Sequence, residues 1–181
     1  MGCNIDPANI KAEESCKTTG GMSKKLYYAL PDDIETPFPS PPIAPATFAE
    51  AVTVSEDFIM IASKTFHVIE ADVQSSSLET ASEGEMNNLS SKSDYKFMLS
   101  GESKALAGFL NSYKNKDLIL VAPDNDGTLR ILGNPNLPAK ISAFSEVSGT
   151  KVSDSKMFEV TISAFGNIPF YFEGPAGVPL V

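Results

Sequence analysis

The 181-residue chain lacks several side chains on which catalytic and nucleic-acid-binding proteins depend. It contains no Trp, one histidine (His67) and one arginine (Arg130), and its 14 basic residues face 23 acidic ones, for a net charge of −9. Nonspecific DNA binding needs clustered Lys and Arg that displace counterions from phosphates, so this composition argues against direct nucleic-acid binding. An acidic surface can instead line a passage through which DNA slides, because like charges repel.

The sequence also lacks a run of 18 apolar residues, so we expect no membrane-spanning helix. Residues 1–21 read as a polar leader without the apolar segment of a secretory signal. Within it, Cys3 and Cys16 allow a disulfide, although free thiols in a reducing compartment are the better interpretation. No histidine lies near these cysteines, and two thiols alone do not form a zinc site.

Motifs for catalysis are missing as well. His67 lies in an alternating stretch without a G-x-S-x-G motif, which favours a surface or interface position over a catalytic triad. The stretch 124–127 resembles the start of a calcium loop, but Pro135 stands where the bidentate Glu belongs, so a tight turn is the better interpretation. We therefore predict that the chain is not an enzyme and that it uses no cofactor and no metal.

The clearest structural pattern runs from Ser103 to Gly133. Its first part has apolar residues at i, i+3, i+4 and i+7, which predicts an amphipathic helix of about three turns. These residues are Leu106, Phe109, Leu110 and Tyr113. A continuous apolar run at 117–123 predicts a strand buried on both faces, and a tight turn followed by a returning strand at 129–131 completes the unit.

Further strand-forming segments lie on both sides of this unit. Those before it are 24–30, 52–54, 58–61, 66–72 and 95–101, and those after it are 141–147, 157–165 and 168–172. We expect the segments at 52–61 and 66–72 to form a β hairpin. The whole pattern predicts a mainly β fold, a β-sandwich or partly open barrel with one flanking α-helix.

Two polar segments interrupt the predicted domain, which spans 22–174 and is followed by a C-terminal tail at 175–181. Seven of the 13 prolines fall between Pro7 and Pro45, which predicts an extended Pro-rich arm at 31–47. Such an arm can lie over its own domain or a neighbour, or bind an aromatic groove of a partner. The Ser-, Glu- and Asn-rich stretch at 74–94 is longer than an ordinary hairpin connection, so we predict a long polar loop that contacts another subunit.

The order of several short motifs resembles one family of proteins. The motifs are a Cys in a polar leader (Cys16), Gly20-Gly21, KKLYY at 24–28, DGTLRILG at 126–133, SGTKVSD at 148–154, FEVTISA at 158–164 and PFYFEG at 169–174. Over residues 16–174 this series resembles the tail-tube-like and head-to-tail ring proteins of tailed bacteriophages of Bacteroidetes, crAss-like phages included. The resemblance implies a tail-tube-like β-sandwich with one flanking helix.

The resemblance also implies a function. The chain would be a non-enzymatic virion structural protein, made in the cytoplasm of the host bacterium, that forms a sixfold homo-oligomeric ring in the tail or the neck. Neighbouring tail or neck ring proteins, portal-side proteins among them, would be its partners, and genomic DNA would pass through the lumen without specific binding. Residues expected at subunit interfaces are Ser75, Ser76, Leu78, Glu83, Met86, Leu89, Pro37, Pro39 and Pro41.

A different class of function stays open from the residues alone. A monomeric β-sandwich module could bind glycans or a cell surface through its loops. The absence of Trp argues against it, because such sites rely on aromatic platforms, whereas the 5 Tyr keep it possible.

Overall fold

The computed structural model describes residues 20–101, 103–148 and 156–180, and these form a mainly β structure with one α-helix. Positions 1–19 of the predicted leader, with Cys3 and Cys16, and positions 149–154 of the SGTKVSD stretch lie outside the described residues. The elements in chain order are β1 (Lys25–Ala29), β2 (Thr53–Val54), β3 (His67–Glu70), β4 (Ser77–Glu85), β5 (Asn88–Ser100), α1 (Lys104–Tyr113), β6 (Ile119–Pro123), β7 (Leu129–Leu132), β8 (Lys140–Val147), β9 (Met157–Gly166) and β10 (Phe170–Phe172). They form two open sheets, so no closed barrel is present among the described residues.

A six-stranded sheet has the order β2-β10-β7-β6-β1-β3. Its neighbours are antiparallel except for β2 and β10, which run parallel. All five residues of β6 are buried, which confirms the predicted strand with two covered faces. Successive side chains of a strand point to opposite faces, so Leu120 packs into one apolar cluster while Ile119 and Val121 pack into another.

A second sheet has the order β4-β5-β9-β8, and all of its neighbouring strands are antiparallel. Its inner face presents Tyr95, Phe97, Val160 and Ile162, all buried. These side chains share one cluster with residues of the six-stranded sheet, among them Leu120. The two sheets therefore pack against each other over a common core.

Helix α1 closes one side of this core, as the apolar spacing predicts. The Ser103 hydroxyl caps its N-terminus by accepting a hydrogen bond from the backbone N–H of Leu106 at 3.1 Å. Leu106 and Leu110 are buried in the shared core. Phe109 contacts the ring of Tyr28 on β1, with ring centroids 5.0 Å apart, so the helix is anchored to the six-stranded sheet.

The other face of the six-stranded sheet is covered by the chain between β1 and β3. In this cover Ile34 forms a β-bridge with Met60, and Phe58 packs between Phe38 and Phe66, with ring centroids 5.6 and 5.1 Å apart. The part of the Pro-rich arm that carries Ile34 and Phe38 therefore lies over its own domain, which is one of the predicted alternatives. The predicted C-terminal tail also returns to the sheet, where the Phe66 N–H donates to the Pro179 carbonyl at 2.9 Å.

The prediction of a β hairpin at 52–61 and 66–72 is wrong. Strand β2 pairs with β10 and β3 pairs with β1, which places them at opposite edges of the six-stranded sheet. The apolar residues of the intervening chain have another use, because Phe58 joins Phe66 and Phe172 in an aromatic cluster over the sheet. The chain between β2 and Phe66 therefore covers the core, and within it only Met60 forms a β-bridge, with Ile34.

The prediction of a long polar loop at 74–94 is also wrong, because this stretch contains β4 and the first half of β5, paired from Ser77–Lys96 to Glu85–Asn88. Both faces of the hairpin are exposed over 79–90, so its sequence has no apolar alternation that would predict strands. Polar pairs hold it instead: the hydroxyls of Thr80 and Ser93 are hydrogen-bonded at 2.8 Å.

Gly133 is the position where the fold depends most clearly on glycine. Its φ is +82°, and a Cβ there would lie 2.6 Å from the Ala139 backbone nitrogen and 3.1 Å from the Leu118 carbonyl oxygen. Both atoms belong to the β-bridge between Leu118 and Ala139, so neither can move away freely. We expect Gly133→Ala to lower the free energy of unfolding by about 2 kcal/mol.

A matched glycine makes this prediction specific. Gly108 lies inside α1, where an added Cβ meets nothing within 4 Å. Gly108→Ala should therefore raise the free energy of unfolding by about 0.5–1 kcal/mol through helix propensity. Urea denaturation of both variants gives the comparison, and equal effects of the two substitutions would contradict the account of Gly133.

Candidate functional site

The β4–β5 hairpin extends beyond the body of the subunit. The last pair that β5 makes with β9 is Ser91 with Gly166, and residues 83–90 continue past it as a two-stranded ribbon. We refer to residues 83–90 as the distal hairpin. At about 3.3 Å per residue it projects roughly 10 Å past the end of β9. Every residue of the distal hairpin is exposed against the part of the chain that the structure describes.

The distal hairpin carries side chains that are unusual for a solvated ribbon. Met86, at the turn, and Leu89, which pairs with Gly84 just before it, are 88% and 67% exposed. Glu83 and Glu85 precede them, and neither forms an ion pair within the part of the chain that the structure describes. An exposed apolar pair next to unpaired carboxylates is a surface that a partner of complementary charge can cover.

The four-stranded sheet has two long unpaired edges. Its outer strands are β4, with nine residues, and β8, with eight, and each pairs on one side only within the described residues. Edges of this length present rows of backbone N–H and C=O groups that can pair with another chain. A β-bulge between Ile141 and Ala143 interrupts β8 near its start, which leaves most of that edge regular.

The outer face of the same sheet is polar, with more carboxylates than lysines. Strand alternation and register place on it the carboxylates Glu79, Glu83, Glu85, Asp94 and Glu159 and the lysines Lys92, Lys96 and Lys140. Two ion pairs cross or follow the strands, Lys96–Glu79 at 3.2 Å and Lys92–Asp94 at 3.3 Å. The charged groups of the face therefore sum to a net negative charge.

Three of the predicted interface residues occur together on the distal hairpin, namely Glu83, Met86 and Leu89. Three others lie just before β4 or at its start, away from the distal hairpin, and belong to the subunit's own fold. The Ser75 hydroxyl donates to the Asp72 carbonyl at 2.7 Å, Ser76 is buried, and Leu78 packs against the core. Ser76 in particular has almost no exposed surface among the described residues.

The predicted proline residues lie elsewhere. Pro37 is exposed, Pro41 is half-buried and Pro39 is buried. Their segment belongs to the cover on the six-stranded sheet, on the far side of that sheet from the four-stranded one, so the structure does not bring them together with the hairpin. Pro39 contributes almost no surface to an interface, because it is buried within its own subunit.

Residues considered for catalysis have structural roles. His67 is exposed on β3 with its ring 5.5 Å from that of Tyr28, which confirms a surface position. In the predicted tight turn, Thr128 N–H donates to the Asp126 carboxylate at 2.8 Å, and Asp124 pairs with Arg130 at 3.2 Å. No group of three or more His, Cys, Asp or Glu that could hold a metal occurs in residues 20–101, 103–148 and 156–180.

Two tyrosines have shifted pKa values. Burial raises the pKa of the Tyr95 hydroxyl, the nearby Ser76 side chain opposes this shift, and the charge of Asp124 adds to it, although neither the Tyr95 nor the Ser76 hydroxyl has a hydrogen-bond partner among the described residues. Burial also raises the pKa of Tyr28, with a smaller contribution from Tyr113. Both shifts favour the neutral phenol, so neither tyrosine is activated as a base or nucleophile near neutral pH.

Comparison with known proteins gives no match: no family model fits the chain, and no curated protein or solved structure is significantly similar to it. Among the described residues, no helix is long and apolar enough to cross a membrane. The described residues thus define a mainly β protein of two sheets and one helix, with two long open edges on the four-stranded sheet and a projecting hairpin.

Proposed function

We propose that the chain is a non-enzymatic structural protein of a tailed-bacteriophage virion, which assembles into a ring in the tail or the head-to-tail neck. The ordered motifs that resemble tail-tube-like proteins support this proposal. The two-sheet architecture with one flanking helix agrees with the fold that the resemblance implies. In this proposal the sandwich is of the tail-tube-like kind, and the protein is made in the cytoplasm of the host bacterium.

The observation that carries the proposal is the pair of open edges on the four-stranded sheet. Because each successive pair in the order β4-β5-β9-β8 is antiparallel, β8 runs opposite to β4. A second copy can therefore continue the sheet with its β4 beside β8 of the first, in antiparallel pairing. This contact uses different surfaces on the two copies, and repetition closes it into a ring when the rotation allows, here a sixfold ring.

The polar outer face gives such a ring a lumen suited to DNA. A continuous sheet of repeated subunits would present the same face, with its excess of carboxylates, around the central hole. Like charges repel, so genomic DNA would pass without being retained. The scarcity of arginine in the whole chain fits the same function, since Arg130 is the only one and it is paired with Asp124.

The distal hairpin would supply contacts beyond the sheet edges. It projects from the subunit with apolar side chains at its turn, so it can reach a neighbouring copy or an adjacent ring protein of the tail, neck or portal side. Burial of Met86 and Leu89 against such a partner would stabilise the assembly at about 25 cal/mol per Å² of apolar surface removed from water.

Two proline substitutions on β8 test the edge contact. The N–H groups of neighbouring residues on a strand alternate in direction, so one of Ser145 and Glu146 donates toward β9 and the other toward the open edge. Of Ser145→Pro and Glu146→Pro, one should lower the thermal midpoint by loss of a ladder hydrogen bond. The other should keep the midpoint and weaken self-association about tenfold or more, because each blocked edge contact is repeated around the ring.

Sedimentation velocity and thermal unfolding on both variants decide the outcome. Each variant serves as the control for the other, since both place a proline at adjacent exposed positions. If the variant with the unchanged midpoint still assembles like the unmodified protein, β8 is not the contact edge.

A further inference from the structure

A cleft of about 360 Å³ opens on the outer face of the four-stranded sheet. It is lined by Lys92, Leu137, Pro138, Lys140, Ser142, Ser163 and Phe165, and we refer to it as the lysine cleft. Its apolar part includes Leu137 and Phe165, each about half exposed. The hydroxyls of Ser142 and Ser163 are hydrogen-bonded to each other at 2.7 Å within it. An apolar hollow between two lysines has the form of a receptor for an acidic, apolar-tipped segment.

Each lysine of the cleft forms an ion pair within its own subunit, and a carboxylate of a partner could replace the one it now contacts. The Lys92 ammonium lies 3.3 Å from Asp94 and 5.9 Å from the centroid of the Phe165 ring. Lys140 pairs with Asp117 at 3.1 Å, and both of these side chains are more than half exposed. Exposed ion pairs contribute little free energy, so a carboxylate of another chain can replace Asp117 at small cost.

The distal hairpin is complementary to the lysine cleft in its apolar side chains and in its charge. It offers two exposed apolar side chains, Met86 and Leu89, where the cleft has an apolar floor. It offers two carboxylates without ion pairs in the described chain, Glu83 and Glu85, where the cleft has lysines. Matched charge and matched apolar area favour one specific partner over others.

The topology places the two surfaces together only between copies. Within one subunit the distal hairpin points past the end of the sheet, whereas the lysine cleft lies back on the face of β9 and β8. When β4 of a second copy runs antiparallel to β8, the end of β4 at Glu85 lies beside the start of β8 at Lys140. The hairpin of the second copy is then next to the cleft of the first.

We propose that the lysine cleft of one copy receives the distal hairpin of the next copy in the ring. In this contact Met86 and Leu89 cover Leu137 and Phe165, and the hairpin glutamates approach Lys140 and Lys92. The inference rests on the proposed self-assembly, and it adds to that proposal the receptor surface and the residues that determine the choice of partner.

A charge exchange tests the contact. Glu83→Lys and Lys140→Glu should each weaken self-association about fivefold per contact, because an attractive pair becomes a repulsive one. The double variant should recover most of the lost affinity, since it restores an attractive pair with the two charges exchanged. Asp117→Asn is the control, because it removes the internal ion pair of Lys140 and should leave self-association unchanged.

Cysteine cross-linking gives a second readout that does not depend on affinity. In a chain carrying Cys3→Ser and Cys16→Ser, Met86→Cys together with Leu137→Cys should yield a ladder of covalent multimers on oxidation. Either cysteine alone should yield dimers at most. The contact at the lysine cleft, but not the proposed ring, would be refuted by the following combination. The wild-type protein assembles, the double charge variant shows no recovery, and the double cysteine variant gives no ladder. A wild-type protein that stays monomeric at every concentration would contradict both this inference and the proposed ring.

Discussion

Replacement of residues 83–90 by an Asn-Gly turn should give a folded subunit that no longer assembles. The deletion leaves Ser82 and Ser91 as the last cross-strand pair, and Asn-Gly is the preferred two-residue connection for such a hairpin. All deleted residues are exposed, so the thermal midpoint should change by no more than about 3 °C. Self-association should weaken by about a hundredfold or more, because the apolar and acidic side chains that we assign to the contact are lost together.

The position of the cut decides whether this experiment is informative. A longer deletion from Ser75 to Ser91 would also remove Ser76, which is buried, and Leu78, which packs against the core. With that longer deletion, a loss of assembly could not be distinguished from a loss of folding. Ile43→Ser is the matched control, since Ile43 is the most exposed large hydrophobic residue of the described chain and lies in the Pro-rich arm. A shortened hairpin that assembles as well as the unmodified protein would contradict the assigned role.

Phe58→Ala should be the most destabilising of the substitutions considered. Phe58 is 5% exposed and contacts the rings of Phe38, Phe66 and Phe172. Truncation of a buried Phe leaves a cavity and costs about 4 kcal/mol. In a chain of this size that corresponds to a fall in the thermal midpoint of about 8–16 °C.

The substitution also tests whether the cover over the six-stranded sheet belongs to the fold. Phe144→Ala removes the same side chain from β8, where it is 50% exposed, and should cost less than about 1.5 kcal/mol. Differential scanning calorimetry of the two variants gives the comparison. Similar midpoints for both would mean that the chain between β1 and β3 does not pack as the structure shows.

Local periodicity predicts the elements that bury apolar residues at regular spacing. Helix α1 and strand β6 are examples, because the helix repeats Leu106 and Leu110 on its inner face and β6 is apolar throughout. The mainly β class with one helix follows from the same patterns. Structure that is held together by polar pairs cannot be predicted in this way. The β4–β5 hairpin, with its Thr80–Ser93 contact, is an example, because its exposed part has no apolar alternation.

Pairing over long distances along the chain is the other part that the sequence does not predict. Strand β2 finds its parallel partner in β10, where Thr53 pairs with Tyr171. Nothing in a strand of two residues indicates such a distant neighbour, and the apolar stretch Phe58–Ile61 after it favours a local hairpin instead. The candidate surface is likewise predicted only in part. Glu83, Met86 and Leu89 are predicted from the polar composition and the length of the stretch 74–94. The open edges and the lysine cleft are visible only in the folded structure.

The central claim is that copies of this chain assemble into a ring. Negative-stain electron microscopy of the purified protein at high concentration, with its mass in solution measured in parallel, tests that claim most directly. We expect closed rings with a central hole, or stacks of them, and a mass that is a fixed multiple of 19.3 kDa. Ring height and stacking would then distinguish a tail-tube subunit from a neck ring. A monomer at every concentration would contradict the claim and favour a β-sandwich module that binds glycans or a cell surface.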